Sequence, residues 1–202
     1  MIEDQTSMDG LAQLQALLAK TRRPPIGETM NFELVEVARG HAVFEGNPDR
    51  SVYNPIGSVH GGYAATLLDS ACGIAVHSQL EPGRGYTTLE LKVSYLRALS
   101  DQSGRVRAVG KVVSSGRRVA FAEATLHDGH GRLCATATST LLVFDHPSRT
   151  RLTARSQTVE GDFITPSKDT FHGRHDQGQG AHHRSIIGHW RSLCRAAGTP
   201  WP

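Results

Sequence analysis

The fold of this chain is decided by residues 54–77, NPIGSVHGGYAATLLDSACGIAVH. Proline and glycine in its first part predict irregular backbone. From about Gly61 to His77 the segment has no proline and is apolar on nearly all sides, which is typical of a buried helix and is too short for a membrane span. Its one formal charge is Asp69. Because a carboxylate among apolar residues costs free energy unless it is paired or used, Asp69 is the first candidate for a functional residue.

One face of this predicted helix carries small residues around the acid. Gly62, Thr66, Asp69 and Gly73 follow one another at spacings of four, three and four, so they share a face. We expect that face to leave room beside Asp69 for a ligand or a second chain. The opposite face is predicted to be core and consists of Leu67, Leu68, Ala71 and Ile74.

The start of the helix offers unpaired backbone N–H groups and the positive end of the helix dipole. Gly61 and Gly62 would let a substrate oxygen approach these donors, and an oxyanion-binding corner with a carboxylate two turns away fits acyl transfer. A second interpretation is structural: the two glycines after His60 form a tight turn, and Asp69 is a buried acid bonded to backbone. The residues alone leave both interpretations open, and a lone His60 is more often structural.

The remaining chain predicts an α+β domain. An amphipathic helix is expected over 9–20 with Asp9 as N-cap, and strands over 29–37, 41–46, 87–96, 105–113, 118–127 and 132–144. In the third of these strands, alternation predicts Leu89, Leu91, Val93 and Tyr95 on one side. Strands on both sides of one apolar helix imply an antiparallel sheet of about six strands wrapped around that helix. A second copy could cover its free face and edge.

Composition limits the class of function. Residues 1–147 hold 14 Lys and Arg against 15 Asp and Glu, whereas residues 148–202 hold 8 against 4, so the positive charge belongs to the tail and nucleic acid binding is not expected. Three distant cysteines give neither a disulfide framework nor metal spacing, and no metal is expected. The absence of a signal-peptide pattern or membrane segment predicts a cytoplasmic protein.

Three regions are predicted: an N-terminal helical segment over 1–22, the main domain over 23–146, and a basic tail over 147–202. The tail is rich in His, Gly and Arg, lacks any sustained period, and is predicted to be disordered. Five of the chain's eleven histidines lie in it at irregular spacing, which is weak support for metal binding.

Asn54, the run His60-Gly61-Gly62 and Asp69 nine residues after the histidine together resemble the hotdog-fold acyl-CoA thioesterases, most closely the PaaI-type group that acts on phenylacetyl-CoA. The runs 86–97 and 114–118 add to the resemblance, which covers about 23–144. It implies a hotdog fold, homodimers or dimers of dimers with active sites at the subunit interface, and hydrolysis of an acyl-CoA to a free acid and CoA. No cofactor is implied, since CoA is part of the substrate.

The resemblance also implies roles for individual residues. Asp69 would be the nucleophile or general base, and the Gly61 N–H would polarise the thioester carbonyl. Asn54, from the other subunit than the acid, would help to place the water or the leaving sulfur, and His60 would support the carbonyl site. Thr88 would orient the water, with the adjacent Thr87 as a substrate-binding neighbour.

Substrate contacts are expected in two further places. Gly62, Thr66 and Gly73 would line the acid's face of the helix. Gly116, Arg117 and Arg118 form a predicted hairpin turn and are candidates for the CoA phosphates, although turn arginines are equally often only solvated.

Two other functions stay open at this stage. One is a non-catalytic acyl-CoA-binding or sensing hotdog protein. The other is a hotdog dehydratase or hydratase for hydroxyacyl thioesters, which would pair His60 with Asp69. The acyl specificity, aryl or aliphatic, is not predictable from one sequence, because the pocket is expected to be built across an interface.

Overall fold

The computed structural model of the protein describes residues 7–20 and 23–146. It contains three α-helices, a short 3-10 helix at Arg50–Val52 and six strands within these residues. The helices are α1 (Gly10–Ala19), α2 (Pro25–Thr29) and α3 (Gly61–His77). The strands are β1 (Phe32–Ala38), β2 (His41–Gly46), β3 (Arg84–Tyr95), β4 (Val106–Ser115), β5 (Val119–His127) and β6 (Leu133–Asp145).

The six strands form one antiparallel sheet in the order β1-β2-β4-β5-β6-β3, and α3 packs against it. The predicted sheet of about six strands around one buried helix is therefore confirmed. Each predicted strand and both predicted helices lie within a few residues of the observed bounds. The sequence predicts neither the short helix α2 nor the 3-10 helix, because two adjacent prolines at 24 and 25 indicate only the end of a helix. Pro25 instead occupies the first turn of α2, where proline is tolerated.

Small residues on the sheet let α3 lie close to it. The face of β5 that meets α3 consists of Ala120, Ala122 and Ala124, all buried. On β4, Gly110 lies directly under the helix, and a Cβ built on it would be 2.2 Å from the carbonyl oxygen of Ala71. Leucines 67 and 68 of α3 fill the remaining space and are fully buried. This close contact holds the helix at a fixed height above the strands.

The helix runs antiparallel to β3, which is an edge strand of the sheet. Gly61 at the helix start lies beside Tyr95 at the end of the strand. Asp69 in the middle lies beside Thr88, and Gly73 farther along lies beside Tyr86. Any chemistry on the small-residue face of α3 is therefore placed next to a sheet edge that no strand of the described ranges covers.

A bulge in β3 overturns the predicted alternation. Thr88 pairs with Leu141 and Glu90 with Thr140, so the residue between them has no place in the ladder. The side chain of Leu89 is 59% exposed, whereas Leu91 and Val93 pack against the core. The prediction that Leu89 shares a side with Leu91 and Val93 was wrong, because one extra residue in a bulge reverses the alternation beyond it.

The first helix docks at the far end of α3. Asp9 caps α1 by accepting the Ala12 N–H at 2.9 Å, as predicted. The Gly10 N–H donates to the Leu80 oxygen, and a Cβ on Gly10 would collide with the His77 carbonyl. None of the helices in the described ranges is long and apolar enough to cross a membrane. The prediction of a disordered tail concerns residues 147–202, which lie outside the described residues.

Candidate active site

Asp69 projects from the middle of α3 and is half-buried. Its Oδ1 accepts a hydrogen bond from the Thr88 hydroxyl at 3.0 Å. Thr87 is exposed, and its backbone pairs with Leu142 of β6. Of the two threonines named from the sequence, Thr88 is thus the one that contacts the carboxylate, and the pair forms a polar centre at the sheet edge.

The surroundings of Asp69 disfavour other charges. Burial, together with the carboxylate of Asp69, raises the pKa of Tyr86 to about 12 and that of the Cys72 thiol to about 12. Both groups stay protonated near neutral pH, so neither competes with Asp69 as a base there.

Not all of the predicted small-residue face is open. A Cβ on Gly73 would be 2.8 Å from the hydroxyl oxygen of Tyr86, so the space expected for a ligand beside Gly73 is filled by the chain's own ring. The Thr66 hydroxyl donates to the Gly62 carbonyl oxygen at 2.8 Å and is used within the helix. A Cβ on Gly62 would likewise be 2.8 Å from Nδ1 of His60, so neither Gly62 nor Gly73 opens onto free space.

The start of α3 is capped by His60, and the cap leaves one donor unused. The Gly62 N–H donates to Nδ1 of His60 at 2.8 Å, and the Tyr63 N–H donates to the His60 carbonyl oxygen at 2.9 Å. The Gly61 N–H has no acceptor among residues 7–20 and 23–146. The N–H groups of Gly62 and Tyr63 are thus satisfied locally, and the N–H group of Gly61 is available to a ligand.

Asn54 holds the turn that precedes the helix. Its Oδ1 accepts the N–H groups of Ile56 and Ser58 at 3.1 and 3.2 Å, and its Nδ2 donates to the Ser58 hydroxyl at 3.0 Å. The turn carries Ile56 at its tip with 81% of that residue exposed. The side chain predicted to contact substrate is therefore engaged in shaping the loop, with one amide hydrogen left over.

Gly61 and Asp69 of one chain are far apart. Eight residues of α-helix separate them, which is about 12 Å along the axis. A carbonyl carbon cannot be within about 3 Å of both a helix-start donor and a carboxylate at that separation. The two groups of a single chain therefore cannot act on the same thioester.

The turn formed by Gly116, Arg117 and Arg118, here called the arginine turn, lies at the opposite end of the sheet from Gly61. The Gly116 N–H donates to the Val119 oxygen at 2.9 Å, and the Arg117 carbonyl oxygen accepts from Arg84 of β3. Arg117 and Arg118 are exposed, and neither is paired with a carboxylate in the described part of the chain. Across the sheet, Val119 pairs with Leu142, which pairs with Thr87, so the turn is about 10 Å from the part of β3 that precedes Thr88, the partner of Asp69.

A cleft of about 280 Å³ opens in front of the helix start. Its rim is formed by His60, Gly61 and Tyr95, and Arg97 also lines it. The rest of its lining is apolar and consists of Val59, Ala64, Leu96, Ala98, Leu99, Leu126, Cys134 and Ala135. Tyr95 was predicted only as one member of an alternating strand. Its contact with Gly61 depends on the tertiary fold, and no sequence signal indicated it. A second depression lies on the other side of His60, between α2 and α3.

The chain is similar in sequence to proteins of a known family. Residues 56–135 match the profile of the thioesterase superfamily. The 1,4-dihydroxy-2-naphthoyl-CoA hydrolase of Listeria monocytogenes is 28% identical over 116 residues, which are 57% of this chain and 93% of that protein.

Solved structures of thioesterase-family proteins are also similar to this chain. A thioesterase family protein from Silicibacter pomeroyi is 30% identical with a TM-score of 0.59, over 67% of this chain and 98% of that chain. The phenylacetic acid degradation protein PaaI from Thermus thermophilus is 28% identical with a TM-score of 0.54, over 59% of this chain and 98% of that one. The match to the superfamily includes α3, β3, β4 and β5.

Proposed function

Because the chain belongs to the thioesterase superfamily and carries a PaaI-type hotdog domain, we propose that it hydrolyses an acyl-CoA through Asp69 of one protomer and the Gly61 N–H of a second. Its general activity, acyl-CoA thioester hydrolysis, follows from the family. The assignment of residues rests chiefly on one observation: the Gly61 amide lacks an acceptor among the described residues at a helix start lined by glycines.

The Gly61 N–H would donate to the thioester carbonyl oxygen. This donor lies at the positive end of the α3 dipole, on the rim of the apolar cleft, where charge developing on oxygen is stabilised. His60 supports the donor by capping the next amide. Asn54 shapes the preceding turn, and its free amide hydrogen would reach the water or the sulfur.

Asp69 would act on the carbonyl carbon. As a general base it takes a proton from water while the water oxygen bonds to the carbon, the carbon–sulfur bond breaks, and the CoA sulfur takes up the proton. As a nucleophile it forms a mixed anhydride and releases CoA, and water then cleaves the anhydride to the acid. Thr88 fixes the carboxylate in either route through its hydroxyl. No cofactor beyond the substrate's own CoA is required.

The separation of about 12 Å between Gly61 and Asp69 in one chain supports a site made by two copies. Asp69 lies beside the edge strand β3, where Leu89 and Tyr95 are more than half exposed. We propose a homodimer, or a dimer of dimers, in which this edge meets the helix start of the partner. Each dimer then holds two equivalent sites.

CoA would be held by the arginine turn. Gly116 allows the turn, and the exposed, unpaired Arg117 and Arg118 suit the phosphates of the nucleotide end. Two described cysteines, Cys72 and Cys134, are buried free thiols, which fits a reducing compartment, and we place the enzyme in the cytoplasm.

A thiol-release assay with a panel of aryl and aliphatic acyl-CoA esters tests the proposal. We expect release from at least one ester, and Asp69→Asn should lower kcat by about 100-fold or more while the protein stays folded. Glu123→Gln, an acid on the exposed side of β5, is the control and should stay within about two-fold. A fully active Asp69→Asn enzyme would refute the mechanism, and binding of esters without thiol release would favour a sensing protein.

A further inference from the structure

Tyr95 is bonded to the first residue of α3. It ends β3 and is 56% exposed. Its hydroxyl nevertheless donates to the Gly61 carbonyl oxygen at 3.0 Å. A carbonyl oxygen has two lone pairs, so this bond adds to the helical hydrogen bond that the same oxygen accepts. An exposed side chain is thus tied to the start of the central helix.

The ring of Tyr95 also explains why residue 61 is glycine. Gly61 is not among the glycines with positive φ, so its backbone conformation does not require glycine. A Cβ on Gly61 would instead be 3.2 Å from Cζ and 3.3 Å from Cε1 of Tyr95. That separation is tighter than an ordinary contact, so the missing side chain makes room for the ring.

We propose that Tyr95 is a positioning residue for the Gly61 N–H. Its hydroxyl holds the oxygen of the Gly61–Gly62 peptide group, and His60 holds the N–H of the same planar group, so the peptide that follows the donor is fixed at both ends. The inference rests on the proposed function, in which that donor polarises the thioester. Tyr95 also forms the cleft rim with His60 and Gly61, so its ring lies where a bound thioester would pass. A donor that adjoins a fixed peptide group loses little entropy when the carbonyl arrives.

Steady-state kinetics on the full-length protein test this inference. Tyr95→Phe removes the hydroxyl and keeps the ring, and we expect kcat to fall about 3- to 10-fold, the size of one hydrogen bond, with KM within about two-fold. Tyr53→Phe is the matched control: it deletes a phenol oxygen that accepts the Asp101 N–H at 2.7 Å, and kcat should stay within about two-fold.

A double-mutant cycle tests the ring. Gly61→Ala should lower kcat about 10-fold or more because the methyl group meets Tyr95. In the double variant Gly61→Ala/Tyr95→Leu, the shorter leucine side chain no longer meets the methyl group. The fold-decrease in kcat of the double variant should therefore be smaller than the product of the fold-decreases in Gly61→Ala and Tyr95→Leu. Wild-type kcat in Tyr95→Phe, or strictly multiplicative losses in the cycle, would overturn the inference.

An NMR measurement separates this inference from the proposed function, since it needs no turnover. The ¹⁵N order parameters of Gly61 and Gly62 should fall in Tyr95→Phe and stay unchanged in Tyr53→Phe. Unchanged order parameters in Tyr95→Phe would sink the positioning role. If the wild-type protein cleaves no ester while these parameters still fall, the thioesterase assignment fails and the contact between Tyr95 and the helix start stands.

Discussion

Thr88 donates its hydroxyl hydrogen to Asp69 across 3.0 Å, although the two residues belong to different elements and are 19 positions apart in the chain. The bulge at Leu89 follows Thr88 immediately. Upstream of this bulge the strand directs Thr88 at the helix, and beyond it Leu91 and Val93 pack on the core. The irregularity in β3 therefore lets one strand serve both the polar site and the apolar core.

This pair gives a direct prediction. Thr88→Val should lower kcat by about 10-fold, because Asp69 loses the hydrogen bond that orients it, and Thr88→Ser should restore most of the rate. Thr87→Val changes the neighbouring, outward-facing threonine and should have little effect. Kinetics on the best ester of the panel decide the matter. Equal losses from Thr87→Val and Thr88→Val would contradict the assignment of Thr88.

A second prediction concerns the shared site. Gly61→Pro removes the N–H, and proline is accepted at the first helical position, so this variant should fold yet lose activity, as should Asp69→Asn. After subunit exchange of an equal mixture, half of the dimers are hybrids with one intact site each, so activity should return to about a quarter of wild type. Circular dichroism checks the folding of each variant. Two folded variants that fail to complement each other would argue for a site within one chain.

A third prediction concerns CoA. Arg117→Ala should raise KM for a CoA ester about 5- to 10-fold with little change in kcat, because a phosphate contact binds ground state and transition state alike. The same acyl group on N-acetylcysteamine lacks the nucleotide, and its KM should not change. Lys111→Ala on β4 removes another exposed cation and serves as control. An equal rise in KM for both thioesters would exclude phosphate recognition by Arg117.

A fourth prediction concerns stability. Asp128 in the β5–β6 turn is buried, which opposes its ionisation, but hydrogen bonds from the backbone and side chain of Arg132 and from the His130 N–H lower its pKa below the ordinary value. A lowered folded-state pKa gives stability that is present above the unfolded pKa of about 3.9 and is lost as pH falls through the folded pKa.

Asp128→Asn should therefore lower Tm at pH 7, and the gap to wild type should shrink as pH falls towards about 3. Thermal unfolding across that range measures it. Asp145→Asn removes an exposed carboxylate that pairs with the half-buried Arg84, and it should change Tm little at any pH. A gap for Asp128→Asn that does not depend on pH would show that ionisation of this residue does not contribute.

The sequence predicted the sheet and α3 well for a physical reason. The apolar run after Gly61 is long, has no proline and ends at a polar segment, so helix and burial agree. Strands with alternating apolar and polar residues, joined by glycine-rich turns, are likewise compatible with few other folds. The same reasoning reached Asp69, since a single charge in such a helix is costly.

Other parts of the site depend on tertiary contacts that periodicity does not encode. The bulge at Leu89 comes from strand pairing, so the outward position of Leu89 could not be predicted. The filling of the space at Gly73 by Tyr86, and the contact of Tyr95 with Gly61, arise only once β3 lies against α3. A glycine in the sequence signals that space is needed, without naming the neighbour that needs it.

Gly110 lies on β4, touches no part of the proposed reaction, and abuts the carbonyl of Ala71, two residues beyond Asp69. Any larger residue at position 110 would push α3 away from the sheet and move Asp69 beyond hydrogen-bonding distance of Thr88. Sequence variation at Gly110 is therefore expected to impair the reaction through the position of α3, although this residue meets none of the reacting groups.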